Sequence, residues 1–264
     1  MPLQDMLDAA AAGGTVEIED GWTQGRAIYG GLTGALLLSA AKGTLPERHP
    51  LRSLTVSFVS PATPGTAEVT AEVLRAGSNV TQCQATLRQD GAVVATALAS
   101  FGRHRESALA MAPAHPMPDL GDADAIEPFP YMEGLTPEFY RFVDLRQVGG
   151  QIPFSGADAG ELSGWTALRE TPDVFGEEHL VAIADAWPPA AIQMLSGFAP
   201  ASSLTWTLEL VAELGEGGLA TDGRFAYEAT TDAARDGYAH THAMLWRPDG
   251  TPVAISRQTI TVFG

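Results

Sequence analysis

A single cysteine, Cys83, is the only thiol in the 264-residue chain. One thiol excludes an intramolecular disulfide and any cysteine-rich zinc site. Its place in the alternating run 80–87 reads as a buried strand position rather than a reactive group. Long apolar runs are also lacking. None reaches the roughly 20 residues a membrane-spanning helix needs, and residues 1–13 have no basic stretch leading into an apolar core. These absences predict a cytoplasmic protein with no membrane span. Positive charge is scarce, with 15 Lys and Arg against 32 Asp and Glu. No basic, aromatic-rich stripe offsets that balance, so nucleic acid is not the expected partner. The imbalance is uneven: residues 1–105 carry 8 basic and 9 acidic side chains, and residues 106–264 carry 7 and 23. A small anionic ligand is not excluded and would approach the N-terminal half, where Arg26, Arg48, Arg52 and Arg75 lie, although surface arginines are commonly just solvated.

What is present is an ordinary globular composition, 45% hydrophobic and 18% charged, with length enough for a substantial core. Residues 3–12 read as a short helix stopped by Gly13 and Gly14, and 15–19 as a strand. Residues 28–43, IYGGLTGALLLSAAKG, read as a helix apolar nearly all round and hence buried. Four strand-like runs follow at 51–60, 67–75, 80–88 and 93–101, with Asp90-Gly91 marking a hairpin turn. One helix followed by four strands on short connections predicts an antiparallel sheet built around a helix, an α+β unit. The proline-rich stretch 103–130 reads as a linker. Strand-like stretches at 131–151 and 161–169 bring the aromatics Phe139, Tyr140, Phe142 and Trp165, read as core or packing between halves, with one or two available to line an acyl pocket.

From residue 181 the order recurs. A helix expected over 185–196, opened by Pro188 and Pro189, precedes strands at 203–211, 221–230, 237–247 and 253–263. The wording recurs as well: SLTVSF from Ser53 matches SLTWTL from Ser203, and RQDGAVVA from Arg88 matches RPDGTPVA from Arg247. An internal duplication accounts for this. It divides the chain into an N-terminal unit, 1–102, a linker, 103–130, and a C-terminal unit, 131–264. The copies differ chemically. The first has glycines, Gly30 and Gly31, where the second has Asp185, and aligning Asp90 with Asp249 sets Ala99 opposite Gln258. One polar site per chain is expected, on second-copy residues and closed by the glycine-led helix of the first.

Taken singly, each of these residues has a plainer role. Asp185 would cap its helix, Ser203 would be a strand hydroxyl, and Gln258 an exposed strand amide. Gly30 and Gly31 fit a tight turn as well as a helix start whose bare N–H groups would meet an anion or a polarised carbonyl. His240 and His242 alternate on a strand with no third ligand at metal spacing, so no metal is expected.

The glycine-pair helix YGGLTGALLLSAAKG, the strand SLTVSFVSPATPG, Ala184-Asp185-Ala186, Ser202-Ser203-Leu204 and VAISRQ ending at Gln258 together resemble the type II acyl-CoA thioesterases. The resemblance covers about 28–102 and 179–264. It implies a double hotdog fold and hydrolysis of acyl-CoA to free fatty acid and CoA, with no cofactor. Water would be held by Asp185, Ser203 and Gln258, while Gly30, Gly31 and Tyr29 would meet the substrate. The chain departs from the family in having Ser203 where threonine is typical, and Trp206 and Glu209 where His and Trp are frequent. Hotdog dehydratases instead pair an acid with a histidine five positions later, and here that position is Ala190. The rival is a non-catalytic acyl-CoA or acyl-carrier-protein binding protein of the same fold. Sheet edges left open often associate, so the sequence leaves open both a pseudo-dimeric monomer and a homo-oligomer, dimer or larger.

Overall fold

The computed structural model describes residues 3–111, 114–214 and 223–263. The first half runs α1 (Leu3–Ala12), β1 (Gly14–Ile18), the short pair β2 (Thr23–Gln24) and β3 (Ala27–Ile28), α2 (Gly30–Gly43), β4 (Leu51–Phe58), β5 (Gly65–Ala76), β6 (Val80–Gln89) and β7 (Ala92–Gly102). The second runs β8 (Val143–Gly150), β9 (Glu161–Leu168), α3 (Glu177–Ala184), β10 (Ala201–Leu210), β11 (Phe225–Arg235), β12 (Tyr238–Trp246) and β13 (Pro252–Val262). Eleven strands form one antiparallel sheet in the order β1-β5-β6-β7-β4-β10-β13-β12-β11-β9-β8. The halves join where β4 pairs with β10, Val56 lying opposite Trp206.

The apolar sequence of α2 explains its position: every residue from Gly31 to Ala41 is buried. Small residues let neighbours come close. A Cβ on Gly43 would lie 2.0 Å from the Ala11 carbonyl oxygen of α1, and Ser39 Oγ donates to the Leu7 carbonyl at 2.7 Å. Helix α3 lies beside α2 in the opposite direction. Lys42, in the last turn of α2, pairs with Glu177 and Glu178 in the first turn of α3 at 3.2 and 2.7 Å. Acids at a helix N-terminus and a cation at a C-terminus are each in the favourable place for the helix dipole.

Several expectations need correction. No helix spans 185–196. The apolar run before Asp185 is itself helical, α3, and it ends at Ala184. Proline lacks the N–H a helix interior needs and disfavours helical geometry in the residue before it, so Pro188 and Pro189 admit only a 3-10 turn, Ala190–Met194. Within 131–151 only Val143–Gly150 is a strand, preceded by a 3-10 turn at Glu138–Arg141. The strand expected over 221–230 begins at Phe225, and residues 221 and 222 lie outside those described, as do Pro113 of the linker and Gly264.

The segment 103–130 is anchored to the second half. Leu120 and Ala123 pack on Trp165, Ala226 and Trp246, on the sheet face opposite the main core, and Arg146 donates to the Ala123 carbonyl at 2.7 Å. Among the described residues no helix is long and apolar enough to cross a membrane.

Ladder contacts fix which positions of the copies are equivalent. The Val94 carbonyl accepts from the N–H of Val59 and the Val253 carbonyl from that of Val211, both at 2.9 Å. The β4–β7 ladder shifts between Leu51 and Ser53, and the β10–β13 ladder between Ser203 and Thr205. Leu54 faces Ala99, and Trp206 faces Gln258. Ser203 is therefore equivalent to Leu51, and the Ser-Leu-Thr words are two residues out of register. A two-residue slide keeps every side chain on the same sheet face, so the apolar pattern alone does not expose it.

Candidate active site

The site forms where the ends of the two helices meet. Tyr29, the residue before α2, is fully buried. Its hydroxyl donates to the Ala182 carbonyl and its ring stacks on Phe139 at 3.9 Å. This contact pins the start of α2 to the last turn of α3. Asp185 immediately follows α3 as its C-cap, yet its carboxylate reaches the N-terminus of α2 and accepts from the Gly31 N–H. The dipole at the end of α3 opposes a negative charge, and the bare N–H groups at the start of α2 favour one. Close approach explains the glycine pair: a Cβ on Gly30 would lie 2.5 Å from Asp185 Oδ2, and one on Gly31 2.4 Å from the Ala182 carbonyl oxygen.

From β13, Gln258 Nε2 donates to Asp185 Oδ1 at 2.5 Å. From β10, Ser203 Oγ donates to Gln258 Oε1 at 3.3 Å. A hydroxyl, a carboxamide and a carboxylate thus form one chain across adjacent strands. Between them Trp206 is locked, its Nε1 donating to Ser256 Oγ at 2.9 Å and its ring lying where Gly34 of α2 leaves room. Asp185 keeps some open surface, but protein encloses it closely enough for burial to push its carboxyl up to about 7, against the lowering effect of the Gln258 and Gly31 hydrogen bonds. A carboxylate poised near neutral pH is suited to take a proton from water.

The structure therefore brings together Asp185, Ser203, Gln258, Gly30 and Gly31. Tyr29 seals the helix junction, its hydroxyl on the Ala182 carbonyl. Phe58, at the end of β4, was missed by sequence reading and closes over Gly30, 3.2 Å from where a Cβ would stand. The cleft of about 390 Å³ lined by Gly150, Gln151, Ser155 and Gln193 includes none of these residues. His242 Nδ1 lies 2.7 Å from Asp232 and His240 Nδ1 3.3 Å from Thr259 Oγ1. Among the described residues no three His, Cys, Asp or Glu side chains group to hold a metal.

Solved structures with this architecture include a conserved hot dog fold protein of unknown function from Alicyclobacillus acidocaldarius, 22% identical, with 98% of each chain covered and a TM-score of 0.87. A candidate thioesterase II from Thermobifida fusca is 23% identical over 98% of this chain and 97% of that one, with a TM-score of 0.80. Acyl-CoA thioesterase II TesB2 from Mycobacterium marinum is 18% identical over 95% and 93%, with a TM-score of 0.72. The fold is thus α+β of the hotdog class, doubled within one chain. Profiles of the acyl-CoA thioesterase N-terminal and C-terminal domains match residues 18–102 and 116–262, and the chain belongs to the acyl-CoA thioesterase family. It is a thioester hydrolase. No curated protein matches the sequence at a significant level.

Proposed function

We propose that the enzyme hydrolyses acyl-CoA to a free fatty acid and CoA by a water that Asp185 activates and that Ser203 and Gln258 hold. The observation that carries this reading is the continuous Ser203–Gln258–Asp185 hydrogen-bond chain ending on a carboxyl pushed up to about 7. Uncharged Ser203 and Gln258 complete the hydrogen-bond shell of a water without competing for its proton. Asp185 takes a proton as the water oxygen attacks the thioester carbon. The division into 1–102, 103–130 and 131–264 belongs to the same proposal, with each half supplying one helix end to the site. So does a cytoplasmic place in fatty acid metabolism, which suits the buried, unpaired Cys83.

Thiol release from a panel of acyl-CoAs of increasing chain length tests it. Turnover in the wild type and its loss in Asp185→Asn are expected. Binding of acyl-CoA with no thiol release at any chain length would favour an acyl-CoA or acyl-carrier-protein binding protein instead.

A further inference from the structure

Tyr227 stands beside this site. It lies on β11, opposite Gly164 of β9 and Leu245 of β12, on the inward face with the main core. Its ring stacks on Trp187, with centroids 5.9 Å apart and planes 25° from parallel. Trp187 follows Asp185 by two residues and lies against Gly164, where a Cβ would stand 2.9 Å from its ring. Gly164, Trp187 and Tyr227 thus build one wall next to the carboxylate. The residue is 8% exposed, and its hydroxyl has no hydrogen-bond partner among the described residues. The buried Tyr29, by contrast, has its hydroxyl on the Ala182 carbonyl. The Tyr227 hydroxyl is not one of the fully buried polar atoms left without a partner, so it reaches open surface, where a substrate oxygen can meet it.

The duplication shows what is unusual about it. In the first half the matching ladder position is Val69, opposite Gly14 and Leu87. Both ladders shift at the same distance beyond it, between Val73 and Arg75 and between Thr231 and Ala233. Val69 is fully buried and apolar, so packing needs no hydroxyl there. Three equivalent positions now differ in the same sense: Leu51 against Ser203, Ala99 against Gln258, and Val69 against Tyr227. The first two polar residues belong to the chain that ends on Asp185.

We propose that Tyr227 is a further catalytic residue, whose hydroxyl donates to the thioester carbonyl oxygen as that oxygen becomes an oxyanion. This rests on the hydrolysis reading above. A donor fixed where the charge develops is worth much to the transition state. In the addition step the water oxygen bonds to the carbonyl carbon, one water proton passes to Asp185, and the carbonyl π pair moves onto the oxygen that Tyr227 faces. In the collapse that pair re-forms the double bond, the carbon–sulfur bond breaks, and the thiolate takes the proton from Asp185. Tyr227 keeps its own proton throughout. Burial, and secondarily the charge of Asp185, hold its phenol well above the usual range.

The test is steady-state hydrolysis of one acyl-CoA by wild type and Tyr227→Phe, with thermal melting of both. The expected result is a kcat lowered roughly 100-fold with KM within about twofold, as for loss of one oxyanion donor, and an unchanged Tm. Wild-type kcat in folded Tyr227→Phe, or a change confined to KM, would overturn the assignment and leave the hydrolysis reading intact. A wild type inactive on every acyl-CoA would overturn both. Should Tyr227→Phe fail to fold, 3,5-difluorotyrosine at position 227 keeps the ring and hydroxyl while making a more acidic donor. Altered kcat then supports the assignment, and unaltered kcat overturns it.

Discussion

The two halves of this enzyme share one architecture and diverge at a handful of inward-facing positions. In the first half Leu51 and Ala99 complete an apolar interior around a 14-residue helix buried from Gly31 to Ala41. In the second, the equivalent positions are Ser203 and Gln258, and the helix is cut to 8 residues ahead of Asp185 and two prolines. The half that kept an uninterrupted apolar helix lends only its N-terminus, while the half that shortened its helix gained the polar groups. A duplicated fold can thus specialise without changing its sheet: one copy keeps the packing and the other takes on buried polar groups.

The largest way to break the comparison is Asp185→Asn, which removes the proton acceptor while keeping the size of the side chain. Its kcat/KM should fall by about 10³-fold, measured by thiol release. Giving the first half's glycine a side chain should come next. Gly31→Ala would press a Cβ onto the Ala182 backbone and the Tyr29 hydroxyl, and neither can retreat cheaply. A loss of roughly 1–3 kcal/mol in denaturant unfolding is expected, together with reduced activity. Gln258→Ala, which restores the residue the first half has, should slow turnover by roughly 10- to 100-fold. An unchanged rate would return Gln258 to a structural strand role. Ser203→Ala should have the smallest kinetic effect, less than about tenfold, because Ser203 reaches Asp185 only through Gln258.

The fold was largely legible in the sequence, because α2 is apolar all round, the strands alternate, and the turn residues recur in the same order in both halves. Asp185 and Gln258 were legible for a related reason: a duplication supplies its own control, so a carboxylate or amide in only one copy stands out, whereas Ser203, matched to Ser53, came only from the family resemblance. The helix leading to Asp185 was not legible. Its apolar residues, Leu180 to Ala184, are buried on every side, and a short apolar run with no polar face has no period to read. The prolines after it then suggested a helix start where the chain makes only a 3-10 turn. The true pairing of Ser203 with Leu51 was hidden because a slide of two residues leaves the in-out pattern intact. The contact of Tyr29 with Ala182 was hidden for a simpler reason: sequence does not say which carbonyl across the core a tyrosine beside a glycine pair reaches.

The charge on Asp185 links stability to pH as well as rate. Its folded carboxyl is raised above the unfolded value, so its stabilising contribution is complete below about pH 4 and is lost as pH rises to about 7. The full difference is on the order of 4 kcal/mol. The melting temperature of the wild type should therefore decline across that window by an amount that Asp185→Asn lacks.

The most direct measurement of the central claim, that a half-buried aspartate at the meeting of two helix ends is the base, is the pH dependence of kcat/KM for one acyl-CoA between pH 5 and 9. The account predicts an acid limb with an apparent pKa near 7, in line with the raised carboxyl, and its disappearance with the activity in Asp185→Asn. A profile flat across that range, or a limb that persists in Asp185→Asn at wild-type rate, would contradict it.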